Sequence, residues 1–263
     1  PPQAWGGIKG EVANMENFIK NLARGAGKIL REGFRTKFKV NHKTAPWDVV
    51  TEFDLASEKF VIDKIQKNYP SHGILSEESG HIIKAKNFWL IDPLDGTRAF
   101  SRGIAQFCVS IAFASHNNLI YAAIYDPLTD EYYFARHGRG AFLNSKRIAV
   151  LEAQNLQHTM TACHIGNTRL EQRKIIYKKI IASRMFPLNL GSVALSATNV
   201  ASGRIESIIT GGLFPWDYAA AGLIMKEAGA KVTDFKGKPY RWDSPELLAA
   251  SPALHKKLLK LVA

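Results

Sequence analysis

Cysteine is scarce in this 263-residue chain: only Cys108 and Cys163 occur, far apart and without metal-ligand spacing. That excludes a disulfide framework and a Cys-based zinc site, and it fits a reducing, cytoplasmic setting. Both are read as core residues. No apolar run approaches the roughly 20 residues of a membrane-spanning helix, and no basic-then-apolar leader opens the chain, so neither a membrane nor a secretory route is expected. Acids are outnumbered, with 23 Asp and Glu against 35 Lys and Arg and a formal net charge of +12. Such a balance suits nucleic acid, anionic lipid or phosphorylated substrates, and equally a Lys-rich solvated surface, because bulk charge does not say where charge sits. Repeats and low-complexity tracts are absent too. What remains is ordinary globular chain, 46% hydrophobic and 22% charged, long enough for one large domain or two moderate ones.

The first stretch, PPQAWGGIKGEVAN, is rich in Gly and Pro, and residues 1–14 are read as a flexible extension outside the fold. Residues 15–34 predict an amphipathic helix with Phe18, Leu22, Ala26 and Ile29 on one face and Gly33 at its end. NHKTAPWDVVTEFD is a loop, after which Asp54 caps a helix over 55–68 with Phe60, Ile62 and Ile65 as apolar positions. ILSEES starts as a short strand and FWLID is a buried one. From 106 to 150 the period becomes two, and FCVSIAFA, NLIYAAIYDP, EYYFARHG and GAFLNSKRIAV predict an antiparallel meander. GRGAFLN looks faintly like a phosphate loop and is read as a hairpin turn. Beyond residue 150 helices and strands alternate: TRLEQRKIIYKKIIAS and the small-residue GSVALSATNVASG are helices, and RIESIIT is a strand. PWDYAAAGLIMKEAGA is a helix closed by Gly229, ELLAAS a strand, and Ser251 and Pro252 open a last helix. The fold class is an α+β half, 15–150, followed by an α/β half, 151–263, sharing one core or a broad interface.

WLIDPLDGTRAF (89–100) carries the chemistry. An apolar strand runs into Asp92 and Asp95, and a buried carboxylate is costly unless paired or bound to a metal. Gly96 permits close backbone approach, and Thr97 can open a helix whose first amides suit an anion such as phosphate. Carboxylates beside an anion need a cation, and an all-oxygen set points to Mg²⁺ rather than zinc. Glu77 and Glu78 follow the apolar ILS, so one of them points inward, and Asp217 follows FPW at the head of an Ala-rich helix. Spacing alone cannot bring these acids together.

WLIDPLDGTRAF resembles the signature of the inositol monophosphatase family: a buried strand, Asp-Pro-Ile/Leu-Asp-Gly-Thr, then a helix. LSEES resembles its Gly-Glu-Glu segment, with Ser76 in the glycine's place, and PWDYAAAGLIMKEAGA its Trp-Asp-x-Ala-Ala-Gly segment. The three occur in family order, and the likeness spans residues 15–262. It implies a layered αβαβα sandwich of the inositol monophosphatase/fructose-1,6-bisphosphatase type. The implied activity is Mg²⁺-dependent, lithium-sensitive hydrolysis of inositol 1-phosphate or a related polyol or sugar phosphate. By the same resemblance Glu77, Asp92 and the carbonyl of Leu94 hold one Mg²⁺, Asp92, Asp95 and Asp217 a second, and Glu77 a weaker third. Thr97 and Asp54 orient and deprotonate the attacking water, with Glu77 among the catalytic groups. Asp95, Gly96 and Thr97 meet the phosphate, while Gly191, Ser192, Val193 and Asp217 line the alcohol. Lys43 falls in the family's mobile loop.

The pattern also departs from the family. Inositol-using members carry a Glu where counting back from Trp216 places Thr210. Either the loop TGGLF shifts and brings in Glu206, or inositol is not the preferred alcohol. Arg98 in GTRAF is similar to histidinol-phosphatase members. Histidinol phosphate, 3′-phosphoadenosine 5′-phosphate and fructose 1,6-bisphosphate therefore stay open as substrates. So does an RNA- or transcription-complex-binding relative of the same fold, supported only by the basic charge. The resemblance implies a homodimer, for which Phe186-Pro187-Leu188 offers an apolar surface. His72, His81 and His164 lack ligand spacing and are read as structural or solvated.

Overall fold

The amphipathic N-terminal segment folds as helix α1 (Lys9–Gly33) in the computed structural model, which describes residues 9–83, 85–166 and 169–262. The helix starts before residue 15, because Glu11 to Asn14 contain no Gly or Pro to stop it. The rest of the expected extension, residues 1–8, lies outside the described residues. A hairpin follows, β1 (Val40–His42) with β2 (Val49–Thr51), and then α2 (Glu52–Asn68). Asp54 does not cap α2 as expected. Thr51 is the N-cap, accepting from the Phe53 amide, and Asp54 is the third helical residue, reaching back to the Thr51 amide in a capping box.

The strands β3 (Gly73–Ser76), β4 (Gly80–Ile83) and β5 (Asn87–Asp95) precede one short turn of helix, α3 (Thr97–Phe100). The meander then runs β6 (Cys108–Ser115), β7 (Asn118–Asp126), β8 (Glu131–Arg136), β9 (Gly140–Leu143) and β10 (Lys146–Ile148). Together these form an eight-stranded sheet in the order β10-β9-β8-β7-β6-β5-β3-β4. The GRGAFLN segment is the β8–β9 hairpin. Beyond it come β11 (Met160–Ile165), α4 (Leu170–Ala182), β12 (Phe186–Leu188), α5 (Val193–Ala201), β13 (Ser207–Gly211), α6 (Pro215–Glu227), β14 (Lys231–Thr233), β15 (Glu246–Ala250) and α7 (Pro252–Val262). Their strands make a second sheet in the order β12-β11-β13-β15-β14.

Alternation along the strands explains the layering. On β5, Trp89 and Ile91 pack with α1 and α2 residues such as Leu22 and Val61, while Phe88 and Leu90 face the opposite core with Ala220 and Ile224 of α6. On β13, Ile208 joins that middle core, and Ile209 joins the one formed with Ile176 of α4 and Leu258 of α7. The small residues of α5 and α6 thus lie between the two sheets, giving five layers: α1/α2, large sheet, α5/α6, small sheet, α4/α7. Ala112, Ala122 and Ala135 on the large sheet are buried under this helical layer. Side chains without bulk on both sides are what let helix and sheet approach closely.

Candidate active site

The parallel neighbours β3 and β5 pair Ser76 with Ile91, so they end at the same edge and put Glu77 beside Asp92. The pairing of β5 with β6 shifts between Asp92 and Asp95, which oppose Ser110 and Cys108. Three steps on one strand match two on the other, a bulge at Pro93-Leu94, where proline has no amide to give the ladder. In a regular strand Asp92 and Asp95, three apart, point to opposite faces; the extra residue lets the two carboxylates interact. Ser57 of α2 supports the bulge by donating to the Pro93 carbonyl (2.8 Å). Asp217 arrives from the first turn of α6, where its Oδ2 accepts the Phe214 amide (2.8 Å).

Carboxylate oxygens of Glu77, Asp92 and Asp217 lie within 4.8 Å of one another. Burial, then Glu77, pushes Asp92 and Asp217 well above the usual carboxylate range. Asp95 is turned toward α5: its Oδ2 accepts from Ser192 Oγ (2.6 Å) and the Ala194 amide (2.6 Å). Burial raises Asp95 to about 6, against the pull of these donors. The Gly191-Ser192-Val193 turn, expected to line the alcohol, is therefore engaged in holding Asp95. Ser192 is also the N-cap of α5.

Thr97 Oγ1 lies 2.9 Å from Asp54 Oδ1 and 3.0 Å from the Leu94 carbonyl oxygen. Asp54 Oδ2 accepts the Thr51 amide (2.8 Å) and hydroxyl. Burial raises Asp54 to about 6 although Thr51 and Thr97 stabilise its charge. Gly96 sits at φ +100°, and a Cβ there would lie 2.4 Å from the Gln106 carbonyl oxygen, so only glycine fits. Helix α3 is four residues long; its first amides have no intrahelical acceptor, but so short a helix carries little of the expected dipole.

Lys43, on the β1–β2 hairpin, donates to Glu77 (2.8 Å) and Glu78 (2.6 Å). Burial opposes its charge, but the two glutamates hold the ammonium above its ordinary value. Glu78 rises to about 7 through burial and Glu77. The sequence carried no sign of these pairings, nor of Glu58, whose Oε1 accepts the amides of Glu78 and Ser79.

Thr210 is the last residue but one of β13, on the face toward α5 and α6, buried, with no hydrogen-bond partner for its hydroxyl. Glu206 does not stand beside it. It precedes β13 and accepts the Met160 amide (2.8 Å), about 13 Å along the strand from Thr210 at ~3.3 Å per residue. Arg98 is exposed. His72 accepts from the Trp89 indole (3.1 Å) and His164 is hydrogen-bonded to Ser196 (2.8 Å). Nothing is described of the His81 side chain. Both cysteines are free and buried.

Fold and site together define a class: a five-layer α/β/α/β/α protein with an all-carboxylate cluster at its strand ends. The sequence matches the inositol monophosphatase family over residues 11–263. It is 33% identical to the inositol-1-monophosphatase of Bacillus subtilis, over 94% of this chain and 95% of that one. It is 35% identical to the Nus factor SuhB of Pasteurella multocida, over 94% and 95%. A crystal structure of the extragenic suppressor protein suhB from Bartonella henselae superposes with a TM-score of 0.90 at 30% identity, over 95% of this chain and 98% of that one. The Thermotoga maritima IMPase TM1415 superposes at 0.87 and 31%, over 95% and 96%. The chain belongs to the inositol monophosphatase family. No helix among the described residues is long and apolar enough to cross a membrane.

Proposed function

We propose that the chain hydrolyses small phosphomonoesters, inositol 1-phosphate or related polyol and sugar phosphates, with two to three Mg²⁺ ions. The observation that carries this is the convergence of Glu77, Asp92 and Asp217 within 4.8 Å. The donor set fits Mg²⁺: carboxylates alone, without the His or Cys that zinc favours. Asp92 and Asp217 also gain from a cation, being acids whose charged forms burial and the neighbouring carboxylates disfavour. Glu77, Asp92 and the Leu94 carbonyl would hold one ion, and Asp92, Asp95 and Asp217 another. When bound, the ions supply positive charge against the phosphoryl oxygens and lower the pKa of water.

The remaining work falls to the chain's own groups. The Thr97 hydroxyl donates a hydrogen bond to Asp54, leaving a lone pair to accept a hydrogen bond from water. As the water attacks, its proton passes to Thr97 Oγ1 and that of Thr97 to Asp54. A carboxyl at about 6 is suited to this exchange near neutral pH. Ser192 and Ala194 fix Asp95, so its second oxygen keeps one direction. The amides of Gly96 and Thr97 would orient the phosphoryl oxygens. Residues 15–150 thus supply most ligands, and residues 151–263 complete the site with Asp217 and the alcohol side. With neutral Thr210 there, inositol 1-phosphate is accepted without strong preference. Phosphate release from a panel of phosphomonoesters, with Mg²⁺ and with chelator, tests the reading; release unaffected by chelation, or none with any substrate, overturns it.

A second reading, participation in a transcription complex, draws on relatives named Nus factor SuhB and on the +12 charge. Salt-dependent retention of RNA by protein that hydrolyses nothing would favour it.

A further inference from the structure

The stretch from the end of β13 into the first turn of α6, TGGLFPW (210–216), contains no charged side chain. It leads directly to Asp217. Within it Phe214 is 62% exposed, an unusual position for a large apolar ring held so close to a carboxylate cluster. The ring is not loose. It stacks on Trp216 with centroids 4.9 Å apart and planes 12° from parallel. Its amide is fixed to Asp217 Oδ2 at 2.8 Å. Pro215 confines residue 214 to extended backbone, and Phe214 has φ −92° and ψ 159°. Trp216 covers one face of a ring that is otherwise largely exposed. At the start of the same segment Thr210 offers a hydroxyl and no charge, so nothing there grips a ring of vicinal hydroxyls as a carboxylate does.

We propose that Phe214, backed by Trp216, is a stacking platform for the alcohol part of the substrate, and that the preferred alcohols carry a planar aromatic or heteroaromatic ring. This rests on the phosphomonoester reading and specifies the substrate class of that site. A rigid aromatic face whose own amide is bonded to Asp217 would bind any planar ring through offset stacking and gain little from a puckered polyol. Nucleoside and simple arylalkyl phosphates share this chemistry.

Four phosphates test it in matched pairs: benzyl against cyclohexylmethyl phosphate, and adenosine 5′-monophosphate against ribose 5-phosphate. Within each pair the phosphate sits on the same kind of primary alcohol, so leaving-group chemistry is held nearly constant. Steady-state kcat/KM with Mg²⁺ should favour the ring-bearing member about tenfold. Phe214→Ala should bring each pair close to parity, and Phe214→Trp should restore the preference. Preference in the adenosine pair alone would narrow the class to nucleosides, and in both pairs would extend it to aromatic rings in general. Parity in the wild type, or a preference that survives Phe214→Ala, overturns the proposal. Hydrolysis of all four without ring preference refutes the platform while leaving the phosphatase reading intact. If none of the four is hydrolysed, the phosphatase reading stands or falls on the wider panel, and calorimetric affinities for the same pairs, wild type against Phe214→Ala, decide the platform separately.

Discussion

Replacing Asp92 by Asn tests whether the acid cluster is a liability that a cation relieves or a support of the fold. In chelated protein the oxygens of Glu77, Asp92 and Asp217 lie within 4.8 Å. Two unit charges at such a separation repel by ~3 kcal/mol at an effective dielectric constant of ~20. If Asp92 takes up a proton instead, as burial and then Glu77 favour, the folded state must hold a proton that the unfolded chain releases at neutral pH. Either route burdens the folded state. Asparagine removes it, keeps Oδ1 to accept the Leu94 amide (3.0 Å), and can donate toward Glu77 from its amide nitrogen. For a chain of this size 1 kcal/mol moves Tm by about 2 °C, so chelated Asp92→Asn should melt about 6 °C above chelated wild type at pH 7.5. The sign with pH follows from the raised folded-state value: the burden is absent below the unfolded pKa near 4 and grows as pH rises, so the two melting curves should converge toward pH 4. Adding Mg²⁺ should raise the wild-type Tm with ligand concentration and leave the variant nearly unmoved, and the variant should have lost turnover. Calorimetric melting at three pH values, with chelator and with Mg²⁺, checks every part. A variant that melts lower than wild type when chelated, or that retains near-normal hydrolysis, refutes the reasoning.

Asp54 must be ionised to accept a proton, so kcat/KM should fall as pH drops through about 6, and Thr97→Val should lower turnover and abolish that limb; a pH–rate profile reads both. Because the Asp54 value is raised on folding, its contribution to stability is present below the unfolded value of 3.8 and lost as pH rises through about 6, ~3 kcal/mol over that window, which chelated melts of Asp54→Asn should recover. A Cβ at Gly222 would meet the Tyr240 ring at 2.2 Å, so Gly222→Ala should destabilise by ~1–3 kcal/mol, measured by urea unfolding; a neutral result would mean that Tyr240 swings away freely. The edge strand β12 exposes Phe186 beside Met160, an uncovered apolar edge that favours a two-fold dimer; light scattering at micromolar concentration should give twice the 29.2 kDa chain mass, and a monomer would count against it.

Much of this architecture was legible because its signals are local. The two-residue period from 106 to 150 is the meander itself, and the glycine that ends α1 and the proline that opens α6 stand where the helices turn. Three strands of the small sheet were not legible. TMTACHI mixes hydroxyl, thiol and imidazole side chains and shows no alternation, yet β11 is buried along nearly its whole length; its polar groups find partners only in the folded chain, Thr161 with Ser207 and His164 with Ser196. Strands β12 and β14 have three residues each, too few for a period, and β12 contains a proline. Asp54 was misplaced by a single turn of helix. The Thr51-x-x-Asp54 spacing of a capping box was present in the chain, and reading Thr51 as the cap would have put the Asp54 carboxylate back against the loop, toward Thr97.

The acids themselves divide along the same line. Asp92 and Asp95 stood out because a buried strand has no reason to end in two carboxylates. What the spacing could not supply is the set of contacts that make the cluster tolerable: Ser57 on the Pro93 carbonyl, Ser192 and Ala194 on Asp95, and Lys43 across Glu77 and Glu78. Each joins residues at least 34 apart in the chain, and none follows from a motif. Lys43 shows why this matters for function. Its ammonium is a tethered cation that offsets two of the carboxylates. It leaves Asp92 without a hydrogen-bonded positive partner among the described residues, and burial, then Glu77, disfavours the charged form of Asp92. A fold that gives Asp95 and Asp54 hydroxyl and amide donors, pairs Glu77 and Glu78 with Lys43, and leaves Asp92 and Asp217 one backbone amide each has concentrated its electrostatic strain on two carboxylates whose mutual repulsion a cation would offset.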